Sequence, residues 1–89
     1  MNLKEEPIIM VNSKFNSNKY YLYRDKIIIK NNKKDKVIVL PQEENIINFY
    51  DMYYDGNILN IIVSTRNMYD YRYILDEVEL KLLNRSFSK

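Results

Sequence analysis

The sequence predicts a mostly β protein: a small antiparallel meander of about six to eight short strands, sandwich-like or barrel-like. Three observations point there. Short runs rich in β-branched and aromatic residues recur, as in YYLYR, KIIIK and KVIVL, and polar turns separate them. The pair Asp55-Gly56 sits between two such runs, a strong hairpin signal because glycine tolerates positive φ. Alanine, the best helix former, is absent from the chain. Codon bias of an A/T-rich genome is an equal contender as the cause of that composition.

The elements follow in order. Ile8–Val11 reads as a short strand after Pro7, and 12–18 as a polar turn. YYLYR turns into KIIIK at Asp25-Lys26, and KIIIK passes into KVIVL across Asn31–Asp35, with Pro41 ending the third strand. MYYDGNILNIIVST is a hairpin about Asp55-Gly56-Asn57. NMYDYRYIL alternates, with Tyr69, Tyr71 and Tyr73 on one face and Asp70, Arg72 and Ile74 on the other. Asp76-Glu77 turns the chain into VELKL, read as a strand through Leu82.

One segment admits a second reading, which makes the alternative fold α+β with one helix near residues 42–54. Pro41 suits a first helical position and Gln42, Glu43 and Glu44 a first turn. Ile46, Ile47, Phe49, Tyr50, Tyr53 and Tyr54 then share a helical face. Strict alternation fails here, because it puts Asp51 with Phe49 and Tyr53. YLYRDKIII also lies over DMYYDGNIL at an offset of about thirty residues, with one insertion. Such meanders are similar to a propeller blade in architecture, and two blades close a ring only by oligomerising.

The chain of 89 residues is one domain's worth, 1–89, with frayed ends expected at 1–7 and 84–89. So short a chain buries only roughly 60–65% of its unfolded surface. There is no cysteine and no histidine. Disulfides, thiolate nucleophiles and Ser-His-Asp chemistry are therefore excluded within one chain, and one glycine cannot make a phosphate loop. The carboxylates Asp51, Asp55, Asp70, Asp76, Glu77 and Glu79 fit turns and strand ends better than a metal loop. The expectation is no enzyme, no cofactor and no metal site. No signal peptide or membrane span is apparent, so a cytoplasmic location is expected.

Net charge is +2, but it is unevenly spread. From Lys19 to Lys36 seven basic residues stand against Asp25 and Asp35, whereas 46–89 carries five basic and six acidic residues. The nine tyrosines fall in three clusters. Tyrosine packs well across strands and also suits interfaces. A binding protein is expected, meeting a protein partner or a second copy through Tyr21, Tyr23, Tyr69, Tyr71 and Tyr73 on one face, or through edge strands. The alternative is a single-stranded nucleic-acid binder, with Tyr20, Tyr21 and Tyr23 stacking bases and Lys26, Lys30, Lys33, Lys34 and Lys36 following phosphates.

Overall fold

A computed structural model describes residues 6–33, 35–67 and 69–88, without the side chains of residues 84, 87 and 88. Among the described residues eight strands form: β1 (Ile9–Asn12), β2 (Lys19–Leu22), β3 (Lys26–Lys30), β4 (Lys36–Val39), β5 (Ile46–Asp55), β6 (Ile58–Thr65), β7 (Asp70–Asp76) and β8 (Lys81–Ser88). They build two antiparallel four-stranded meanders, β1-β2-β3-β4 and β5-β6-β7-β8. The mostly β expectation holds, and the open sheets make it a sandwich.

Each sheet exists because its strands alternate. Ile9, Leu22, Ile27 and Ile38 lie in one register row across the first sheet, and Val11, Tyr20 and Ile29 in the next. Phe49, Val63 and Tyr71 lie in one row across the second sheet, and Met52, Ile61 and Tyr73 in another. These rows face one another as a single apolar cluster. Tyr20, Leu22, Ile27, Ile29, Phe49 and Ile61 are completely buried in it. Burying such a side chain contributes about 1.5–3 kcal/mol, which makes these facing rows the main cohesive term in so small a protein. The slab measures 41 × 39 × 19 Å, the thickness of two sheet layers.

Residues 46–54 are strand, not helix, which corrects the α+β alternative. Register shifts lie between Ile46 and Asn48 and between Phe49 and Asp51. Each bulge inserts a residue and resets the parity. Phe49 and Met52 therefore both point inward, while Asp51 and Tyr53 both point out. The broken alternation is the mark of the bulges.

Two boundaries also differ from expectation. Residues 77–80 form a turn, not a strand. Asp76 accepts the Val78 and Glu79 amides at 2.9 Å each, and Leu80 closes the turn at φ 56°. That left-handed backbone frees Leu80 to pack against the core. β8 then runs to Ser88, because the outer edge of β7 still needs a partner. The segment 84–88, expected as a frayed end, is thus assigned to β8; residues 1–5 and 89 lie outside the described residues. The thirty-residue likeness does not superpose sheet on sheet, since β2-β3 is a middle hairpin and β5-β6 a first one.

Gly56 occupies the first position of the two-residue β5-β6 loop with φ 62°. A Cβ there would meet nothing within 4 Å. Gly56→Ala should therefore cost backbone strain alone, about 1–2 kcal/mol by urea unfolding, and Gly56→Asn clearly less. An equal loss for both variants would show that handedness is not what the turn requires.

Candidate functional site: the outer face of the first sheet

The five tyrosines expected on one face are divided. Tyr71 and Tyr73 are buried, each 7% exposed, on the inner face of the second sheet. Their place on a contact surface is corrected: the alternation is real, but it points the phenols at the first sheet. Tyr69 lies exposed at the bend before β7. Only Tyr21 and Tyr23 stand on the outer side of the first sheet, half-buried. Tyr20 is wholly buried, so it cannot stack a base.

The buried phenols are built into the join between the sheets. Glu77 Oε1 accepts hydrogen bonds from Ser13 Oγ at 2.7 Å, Tyr20 Oη at 2.7 Å and Tyr54 Oη at 2.8 Å. Asn18 Nδ2 donates to Tyr20 Oη, and Asn31 Nδ2 to Asn18 Oδ1. The Lys14 amide donates to Tyr54 Oη. Elsewhere Tyr73 Oη donates to Glu43 Oε2 at 2.6 Å, and Arg85 reaches Glu43 Oε1 at 2.9 Å while lying 4.5 Å over the Tyr71 ring. Burial, reinforced by the neighbouring carboxylates, holds the Tyr20 and Tyr73 phenols well above the usual range. Burial raises Tyr54 as well. No buried side-chain polar atom among the described residues lacks a partner. Among them, too, no group of three or more acids is placed to hold a metal ion, and no helix is long and apolar enough to cross a membrane.

The outer face of the first sheet is different in kind. Met10, Tyr21, Ile28 and Val37 form one register row across all four strands. Met10 is 59% and Val37 50% exposed. On either side stand lysines. Lys19 and Lys30 are direct cross-strand partners, and Lys26 pairs with Val39. The Lys30 ammonium lies 5.5 Å from the Tyr21 ring centre and that of Lys26 4.8 Å from Tyr23. Lys26 also meets Asp25, in the turn, at 3.4 Å. A depression of about 230 Å³ is lined by Ser17, Lys19, Tyr21, Lys30, Asn31 and Asn32. Lys33 borders a neighbouring one. Lys36 instead leans over the edge to the Glu79 carbonyl. Lys34 lies outside the described residues.

Met10, Lys19, Ile28, Val37 and Val39 were not singled out from sequence. One signal would have found Lys19: fixing the turn at Arg24 and Asp25 pairs it with Lys30. No family model matches the chain, and no curated protein or solved structure matches it either.

Folding keeps the inner phenols protonated, so their contribution is fully present below the ordinary phenol pKa of about 10 and falls as pH rises past it. Urea midpoints should decline above that pH, less steeply in Tyr73→Phe; an unchanged slope would mean that Tyr73 ionises alike in both states. Tyr71→Ser should cost about 3 kcal/mol of stability, the loss expected of a core aromatic. A loss under about 0.5 kcal/mol would return Tyr71 to the surface.

Proposed function

We propose that this is a small, non-catalytic, cytoplasmic binding protein that captures an acidic, partly apolar protein surface on the outer face of its first sheet. One observation carries the reading: Lys19 and Lys30 sit directly opposite each other beside Tyr21. Like charges in that position destabilise an isolated sheet, and a partner carboxylate between them removes the penalty. Among the described residues the strands of this face present no carboxylate. The exposed Met10, Val37 and Val39 supply the apolar part of the contact.

A protein ligand fits better than single-stranded nucleic acid. Tyr20 is interior, and the lysine heads of Lys26 and Lys30 cover the ring faces on which bases would stack. Strand addition at β4 is the lesser mode, since four residues precede the stop at Pro41. The absence of histidine and cysteine supports a role without catalysis.

The test titrates a labelled acidic peptide with interspersed leucines, and a labelled single-stranded oligonucleotide, at low and high salt. The peptide should bind, weaken with salt, and lose about tenfold or more in affinity with Lys19→Glu/Lys30→Glu, whose parent side chains are exposed. Oligonucleotide binding without peptide binding would overturn the protein reading.

A further inference from the structure

The second sheet has an outer face of its own, and its chemistry is the complement of the first. Tyr53, Asn60, Ile74 and Leu83 form one register row across all four of its strands. Tyr53 is 39% and the adjacent Ile58 49% exposed. Around this row Asp51, Asp55, Asp70 and Asp76 share the outward side, against Arg72 and Lys81. One broad face of the slab therefore carries an apolar row among lysines, and the other carries Tyr53, Ile74 and Leu83 among aspartates.

We propose that copies of this chain assemble head to tail, the lysine-bearing outer face of the first sheet of one protomer seated on the aspartate-bearing outer face of the second sheet of the next. The inference rests on the protein-binding reading above and names its partner. Both faces carry an outward row perpendicular to the strands, apolar or aromatic on all four strands of the first sheet and on three of the second, where Asn60 is buried between Tyr53 and Ile74, so sheets packed nearly aligned bring row onto row. The aspartates then fall among Lys19, Lys26 and Lys30. Like faces do not pair in this way, because lysine would meet lysine and aspartate would meet aspartate. The contact is therefore heterologous, and it closes as a ring or continues as a filament. Each internal protomer covers the exposed members of both faces, Met10 and Val37 on one and Tyr53 and Ile58 on the other, which a pair docked by one face leaves half open. The arrangement continues the stacking already present inside the chain, where two meanders pack face to face.

Sedimentation velocity on the full chain, from micromolar to millimolar concentration at low and high salt, tests this. Two variants at exposed positions break one face each: Met10→Glu/Val37→Glu and Tyr53→Glu/Ile58→Glu. The parent chain should form species larger than a dimer that dissociate with salt. Each variant alone should be monomeric, with its association weakened at least tenfold. Their equimolar mixture should give a 1:1 pair that grows no further, because the two remaining faces both carry added carboxylates. Circular dichroism confirms that both variants fold, and if one does not, the milder pair Lys30→Glu and Asp55→Lys replaces it. A parent chain monomeric at millimolar concentration overturns the assembly. So does a variant that self-associates alone, which would mean a like-face contact or pairing through β4. If the acidic peptide binds while the chain stays monomeric, the binding face stands and only its self-partner falls; if the peptide fails too, both fall.

Discussion

Three hydroxyl groups converge on one oxygen of Glu77, and the relation between the two sheets depends on that contact. Ser13 and Tyr20 belong to the first sheet's half of the chain, Tyr54 and Glu77 to the second. The apolar rows supply most of the cohesive free energy, but burial of area is non-directional and would tolerate sliding of one layer over the other. Hydrogen bonds to a carboxylate are directional and stronger than neutral ones. Unsatisfied, each buried phenol would cost about 1–3 kcal/mol. The clasp therefore fixes which residues of one layer lie over which residues of the other.

This constraint sorts the tyrosines. The inner-row phenols of Tyr20, Tyr54 and Tyr73 find an acceptor at Glu77 or Glu43 and become part of the join. Tyr21, on the opposite parity, is turned outward among lysines. With the inner faces committed to each other, the outer faces are the surfaces left for a partner. Their charges differ in sign because the lysines of the first half and the aspartates of the second occupy the outward parity of their strands.

Much of the fold was legible in the sequence, because it was written in local pattern. β2, β3, β4 and β6 are short apolar runs bounded by turn residues, and Gly56 marks its hairpin. Where the pattern misled, a specific device intervened. The bulges of β5 flip parity twice, which made a strand resemble a helix. Leu80 takes a left-handed backbone that sequence assigns to glycine or asparagine, so the turn at 77–80 read as a strand. The site was less legible. Alternation shows that Tyr69, Tyr71 and Tyr73 share a side, but not which side faces the other sheet. That depends on sheet packing, a property of residues more than forty positions apart in the chain, such as Tyr20 and Glu77. Nothing near Glu77 distinguishes it from an ordinary turn acid.

If the clasp sets the layering, its members act as a unit. A double-mutant cycle on Tyr20→Phe and Glu77→Gln, read by urea unfolding, measures this directly. Each single change should cost about 1–3 kcal/mol, and the double change should cost less than the sum by at least about 0.5 kcal/mol. Losses that add to within about 0.3 kcal/mol would mean that Tyr20 and Glu77 act independently, and that the sheets are held in place by their apolar rows alone.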